Sequence, residues 1–283
     1  MKTFTTEKEC QEVVSKLLKE GKTIGFVPTM GALHSGHISL IEASKNECDF
    51  TICSIFVNPT QFDKQEDLDK YPITVEADKA LLEAAECDFL LLPSVKEVYP
   101  NGKENYTAPN IGEIVNLLEG KHRIGHFEGV MQVVERLLRM TTPTHLYMGL
   151  KDYQQFLICS KMTVAVGIDV EMRGMPIIRE QSGLAKSSRN VRLSAEGKEI
   201  ASNINRRLKK SKGLLSINNV KRLEKKANEY FDSLEGLKLE YFEVVDRDTL
   251  MKPEGKNKKD NLIALVAAWV EGVRLIDNLI LSE

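Results

Sequence analysis

No apolar run in the chain approaches the roughly 20 residues needed to span a bilayer, and the polar opening Met1 to Cys10 lacks the apolar core of an export signal. The expectation is a cytoplasmic protein with no membrane partner. Charge excess is lacking too: 39 Lys and Arg face 41 Asp and Glu, a formal net charge of −2. That balance argues against a nucleic-acid partner held by bulk electrostatics. Local runs such as Arg206 to Lys210 and Lys221-Arg222 read as solvated helix faces. The five cysteines, Cys10, Cys48, Cys53, Cys87 and Cys159, are odd in number and scattered, with neither Cys-x-x-Cys spacing nor a His-Glu-x-x-His run beside them. They read as reduced thiols without metal or redox chemistry. Internal repeats and low-complexity segments are also absent.

What is present is concentrated in ten residues, Pro28 to His37 (PTMGALHSGH), which follow the apolar stretch Ile24 to Val27 and lead into a helix-like run, Ile38 to Lys45. A strand, a glycine loop and a helix start form an anion site, because the first helical N–H groups lack internal partners and the helix dipole adds partial positive charge. Gly31 and Gly36 suit close backbone approach and unusual dihedrals, and Ser35 suits an N-cap. His34 and His37, three apart, share a helix face. Two imidazoles there can donate hydrogen bonds to phosphoryl oxygens as charge builds in nucleotidyl transfer, and one can protonate departing pyrophosphate. Two plainer readings stand beside this one: half of a zinc site, which would want three or four ligands, or two surface histidines.

The first two-thirds of the chain alternates helix and strand: a helix to Glu20, strand Ile24 to Val27, a helix to Lys45, strand Thr51 to Val57, helix Val75 to Ala85, strand Phe89 to Leu92, a helix around Gly129 to Met140, strand His145 to Met148. This is the rhythm of an α/β protein with a parallel sheet, whose ligands gather at strand C-terminal ends. Beyond Pro176 two lysine-rich helical stretches, Ala195 to Lys212 and Asn219 to Leu234, precede strands Leu239 to Val245, Leu262 to Val270 and Val273 to Leu281. Two domains follow, 1–176 and a smaller α+β domain 177–283. Lys252 to Asp260, with Pro253 and Gly255, reads as a loop between strands.

Further clusters are FVNPTQF (Phe56 to Phe62), LEGKHRIGHF (Leu118 to Phe127), GLKDYQQ (Gly149 to Gln155) and GLAKSSRN (Gly183 to Asn190). Each alone is weak, since a Lys-Asp pair or a Ser-Ser-Arg loop is commonly a surface pair or a cap. In order along the chain, PTMGALHSGH, FVNPTQF, GLKDYQQ and LAKSSRN resemble the pantothenate synthetases (pantoate–beta-alanine ligases), from about Phe4 to the C-terminal RLIDN, Arg274 to Asn278. The decapeptide alone resembles only the wider nucleotidyltransferase superfamily.

The resemblance implies a cytoplasmic homodimeric ligase with a Rossmann-like N-terminal domain and a C-terminal lid. Such an enzyme activates pantoate with ATP to an enzyme-bound pantoyl adenylate, and beta-alanine then displaces AMP to give pantothenate. It implies an ATP site of Met30, Gly31, Ala32, Leu33, His34, Ser35, Gly36, His37, Gly149, Leu150, Lys151, Asp152, Ile178, Lys186, Ser187, Ser188 and Arg189. Its catalytic groups would be His34, His37, Lys151 and Arg189, with Gln61 and Gln155 on pantoate and Gln61 also on beta-alanine. The residue chemistry agrees: Lys151 and Arg189 offer charge to a triphosphate, Ser187 and Ser188 offer donors, and neutral glutamines orient pantoate without blunting its carboxylate. Mg²⁺ is expected on ATP phosphates, with Asp67, Asp69 and Asp152 as candidate ligands and no protein ligand set fixed. Asp63 or a bound water is a candidate base for the amine step. Ile124, Leu150 and Lys186 depart from the family pattern of proline, Glu or Gln, and methionine, and Lys186 would add a cation beside the phosphate loop. Two alternatives remain at this point: another adenylyl- or cytidylyltransferase, and a non-catalytic nucleotide-binding module. A tRNA synthetase fits poorly with a slightly acidic chain.

Overall fold

Ile24 to Val27 and Ile52 to Ile55 are buried without alternation, which is the pattern of parallel strands covered by helices on both faces. The computed structural model describes residues 1–63, 65–215, 219–253 and 260–282. The chain forms two compact units: Met1–Leu150 with Gln154–Pro176, and Lys151–Tyr153 with Ile177–Glu283.

In the first unit the elements run β1 (Lys2–Phe4), α1 (Glu7–Lys19), β2 (Ile24–Thr29), α2 (Ser35–Glu47), β3 (Phe50–Ile55), α3 (Gln65–Asp69), α4 (Val75–Ala84), β4 (Phe89–Leu91), α5 (Val95–Val98), α6 (Glu119–His122), α7 (His126–Thr141), β5 (His145–Gly149), α8 (Tyr153–Ala165) and β6 (Glu171–Met175). The six strands make one parallel sheet in the order β1-β4-β3-β2-β5-β6. Strand order reverses at β2, between β3 on one side and β5 on the other. In open α/β sheets the ligand crevice opens at that point, outside the strand C-termini. Val27, Ile41, Cys53, Leu82 and Leu90 knit α2 and α4 onto the sheet, each such side chain contributing about 1.5 to 3 kcal/mol by leaving water. All five cysteines are free and buried; burial pushes the Cys10 and Cys159 thiols up to about 12, so they stay protonated and inert.

The sequence did not announce β1, β6 or α8. β1 has three residues and, among the described residues, pairs with β4 alone. β6 is an edge strand reading Glu-Met-Arg-Gly-Met, with no fully buried residue. In α8 apolar and polar residues follow no single helical face, so the pattern carries no period.

In the second unit α9 (Ala195–Leu214) and α10 (Val220–Asp232) precede β7 (Leu237–Asp246), β8 (Leu262–Val270) and β9 (Val273–Ile280), an antiparallel sheet in that order. Ser194 and Asn219 cap the helices by accepting from the Gly197 and Arg222 N–H groups, each cap worth about 1 kcal/mol. Leu208, Leu223, Phe231, Phe242, Val244, Ala264 and Val266 form the core between helices and sheet. Of the expected 252–260 loop, residues 254–259 lie outside the described residues.

Candidate active site

The loop after β2 is built on a carboxylate that sequence reading passed over. Asp78, in the first turn of α4 and 1% exposed, accepts from the Ala32 N–H (2.9 Å), the Leu33 N–H (2.8 Å) and the Thr74 hydroxyl (3.2 Å). The chain makes this turn through Gly31 at φ +79° and Ala32 at φ +48°, the left-handed region that Gly adopts without cost. A Cβ on Gly31 would lie 3.0 Å from Asp78 Oδ2. Gly36, expected to share that freedom, is instead an ordinary helical residue of α2.

The N-cap of α2 is His34, not Ser35 as expected. His34 is extended (φ −143°, ψ 174°), and its ring nitrogen does the hydroxyl's job: Nδ1 accepts from the Gly36 N–H at 3.1 Å. His37 reciprocates, its Nδ1 accepting from the His34 N–H at 3.3 Å. The rings stack with centroids 4.1 Å apart. With both Nδ1 atoms engaged as acceptors, the proton of each neutral ring sits on Nε2.

This self-capping engages much of the loop's own backbone. The Gly31 N–H donates to Thr29 Oγ1 (3.2 Å), Ala32 and Leu33 donate to Asp78, Gly36 donates to His34 Nδ1, and the His37 N–H donates to the His34 carbonyl (2.8 Å). These backbone donors, expected to face phosphate, are consumed by the loop itself. The dipole of α2 still favours negative charge at this end of the helix, and His34 and His37 remain the expected side-chain contacts to it.

Beyond β3, Asn58 organises the Pro59–Gln61 turn. It is fully buried, and its Oδ1 accepts from the Tyr99 hydroxyl (2.7 Å) and the Thr60 N–H (3.3 Å). Its Nδ2 donates to the Gly129 carbonyl (3.1 Å) and to Gln61 Oε1 (3.2 Å). The Gln61 amide nitrogen then points at Met30 Sδ, 3.1 Å away, so Gln61 stands beside the histidine loop. His126 fixes the same turn from below. Because Arg123 can only donate, His126 Nε2 accepts from its guanidinium (3.0 Å), and His126 Nδ1–H donates to the Gln61 carbonyl (2.7 Å). Gly129 lets α7 come this close; a Cβ there would sit 2.3 Å from the Thr60 carbonyl oxygen. Asn58 carried a legible signal, an Asn before Pro in a cap position, whereas Asp78 carried none.

Gln155 lies half-buried in α8, which follows β5, so Gln61 and Gln155 come from elements after the strands that flank β2. Its neighbour Gln154 is structural, accepting from the Glu119 N–H (3.1 Å) and donating to the Ile114 (2.7 Å) and Leu117 (2.8 Å) carbonyls. Gly149 ends β5, and the Leu150 side chain packs over Gly174 of β6, beside Phe156. Asp63 is engaged by Arg123 at 3.4 Å. Asp67 and Asp69, two apart on α3, do not share a helix face, and Asp69 accepts from Gln65 (2.8 Å). Among the described residues no three His, Cys, Asp or Glu side chains converge to hold a metal.

In the second unit Ile178 and Lys186 face each other across a short hairpin, the Lys186 N–H donating to the Ile178 carbonyl (2.9 Å). Ser187 caps the turn Ser188–Arg192 by accepting from the Arg189 N–H (3.3 Å). Lys186 Nζ lies 3.9 Å from Glu180, so its extra charge is partly answered within its own hairpin. Lys151 and Asp152 are 3.6 Å apart.

Residues 2–280 match the family model described as Pantoate-beta-alanine ligase. The chain is 43% identical to the pantothenate synthetase of Porphyromonas gingivalis over 99% of both chains, and 42% identical to that of Bacteroides fragilis over the whole of both. Among solved structures it resembles pantothenate synthetase from Thermus thermophilus, with TM-score 0.92 and 36% identity over the full length of both. It also resembles a pantoate-beta-alanine ligase from Francisella tularensis, complexed with beta-gamma ATP and beta-alanine, with TM-score 0.80, 37% identity, and coverage of 99% and 98%. These matches run through the second unit as well as the histidine loop, which sets aside the other transferase and the bare binding module.

Proposed function

The chain belongs to the pantoate-beta-alanine ligase family, and on that premise we propose how its own residues divide the work of making pantothenate. A pantoate carboxylate oxygen attacks the α-phosphorus of ATP as the bond to pyrophosphate breaks. The amine of beta-alanine then attacks the acyl carbon of the adenylate, AMP leaves with the bonding electrons, and the amine nitrogen gives up its proton.

The single observation that carries this division is the stacked pair His34 and His37 at the start of α2, each with Nδ1 tied to backbone, so that a neutral ring carries its proton on Nε2. Their fixed donors meet phosphoryl charge as it develops, at no reorganisation cost during reaction. Gln61, held by Asn58 and beside Met30, is assigned to pantoate together with Gln155; Gln61 is also assigned to beta-alanine. Lys151, Lys186, Ser187, Ser188 and Arg189 are assigned to the triphosphate, Ile178 to adenine, and residues 177–283 to the role of a lid. Mg²⁺ enters with ATP as part of the substrate, neutralising phosphate charge; the scattered carboxylates Asp67, Asp69 and Asp152 suit an ion that keeps most of its ligands from phosphate and water. A homodimer in the cytoplasm is the working assembly.

The test is exchange of labelled pyrophosphate into ATP with pantoate and Mg²⁺ present and beta-alanine absent, because exchange requires reversible adenylate formation. Exchange that depends on pantoate supports the reading. Absence of exchange while ATP still binds refutes it.

A further inference from the structure

The C-terminal motif Arg274 to Asn278 is the part of the sequence pattern for which the reaction gives no role. It lies on β9, an edge strand of the antiparallel sheet. Asp277 and Asn278 are both 4% exposed, an expensive place for a carboxylate and an amide unless each is matched. Successive strand residues point to opposite faces, and these two engage different segments of the second unit.

Asp277 grips Arg179 in a two-pronged pair: Nη1 donates to Oδ2 at 2.6 Å and Nη2 to Oδ1 at 2.9 Å. The Asn278 N–H also donates to Asp277 Oδ1 at 2.8 Å. Burial pushes the Asp277 carboxyl up from its ordinary value, and Arg179 opposes that shift. Arg179 in turn donates to the Gly183 carbonyl at 3.1 Å, and it pairs across the hairpin with Ala185. The strand thereby anchors the hairpin that carries Lys186 to Arg189. Asn278 reaches the other segment: its Nδ2 donates to the Lys151 carbonyl at 2.9 Å.

Residues 151–153 interrupt the first unit in sequence yet group with the second. Asn278 is a physical reason, because its bond ties this short segment to β9 at Lys151 itself. A lysine ammonium sits at the end of four rotatable bonds, so fixing its backbone narrows where the charge can be delivered, and misplacement by about 1 Å costs on the order of 10²-fold in rate.

We propose that Asn278 is a positioning residue for adenylate formation, acting through Lys151, whose carbonyl it holds on the same strand that anchors the Lys186–Arg189 hairpin through Asp277. This rests on the assignment of Lys151 to the triphosphate. The test is a double-mutant cycle on the full chain, read by pantoate-dependent pyrophosphate exchange at saturating ATP, with ATP affinity measured separately.

Lys151→Ala is expected to cut exchange by about 10²-fold, as for loss of one transition-state charge. Asn278→Ala should cut it by about 10-fold in the wild-type background and by less than about 2-fold in the Lys151→Ala background, the non-additivity that marks action through a shared group. Asn278→Leu, close in size and lacking the donor without burying a charge, should behave as Asn278→Ala and serves if the smaller side chain impairs folding. An equal further loss in both backgrounds overturns the proposal while leaving the role of Lys151 intact. If Lys151→Ala leaves exchange unaltered, the assignment of Lys151 falls, and the proposal with it.

Discussion

Replacing Asp78 by Ala removes the acceptor of two amide N–H groups and one hydroxyl, all in the turn that presents His34 and His37. A hydrogen bond to a charged acceptor is worth about 1.5 to 3 kcal/mol net, so losing two would cost about 3 to 6 if no substitute existed. A cavity of about 280 Å³ adjoins the turn, lined by Met30, Gly31, Ile55, Thr74 and Asp78 among others, and is large enough to admit water to the orphaned donors. That brings the expected loss to about 2 to 4 kcal/mol, or a melting midpoint lower by roughly 3 to 7 °C for a chain of this size. Because the histidines hang from the same turn, pyrophosphate exchange should fall by more than about 10-fold at temperatures where the variant is fully folded. Calorimetry and exchange on one preparation make the measurement. A midpoint within about 2 °C of wild type, together with unchanged exchange, would refute the view that Asp78 holds the loop.

His37→Ala should lower pantoate-dependent exchange by about 10² to 10³-fold, while loss of its reciprocal cap to the His34 N–H costs about 1 kcal/mol; exchange at the wild-type rate removes His37 from the mechanism. Gly129→Ala forces a methyl against the Thr60 carbonyl, and should destabilise by about 1 to 3 kcal/mol and raise the pantoate KM by displacing Gln61, an unchanged KM being the contrary result. Arg136 makes a two-pronged pair with Glu7, and holds its carboxyl below the usual 4.5 chiefly by hydrogen bonding. A lowered folded-state value contributes stability above pH 4.5 that fades as pH falls through it. Urea midpoints of the wild type should therefore drop more steeply than those of Glu7→Gln below pH 4.5, and parallel profiles would contradict this.

The alternation of apolar runs with helices was legible because the inner strands β2 and β3 are continuous in sequence and almost uniformly buried. The boundaries of β8 and, to within two residues, those of α4, α9 and α10 match the sequence expectation. Short edge strands such as β1 and β6 carry too few residues to hold a pattern. The site divided in the same way. His34, His37 and Gln61 could be named because their residue types sit in compact local motifs. Asp78 and Asn278 could not be given roles, because each acts on backbone groups far away in sequence, 45 or 46 residues for Asp78 and 127 for Asn278.

By itself, then, the sequence determined a chain of nearly balanced charge, cysteines without metal or redox spacing, a parallel α/β unit followed by an α+β unit, and the set of residue types that suits phosphoryl chemistry. Only the tertiary structure decided how those residues are armed. It made His34 rather than Ser35 the cap, spent amides of the loop on Asp78 and on His34, and tied the Nδ1 of both imidazoles to backbone. The physical reason is that composition and spacing fix which donors exist, whereas the partner each donor takes is chosen by groups that only folding brings within hydrogen-bonding reach.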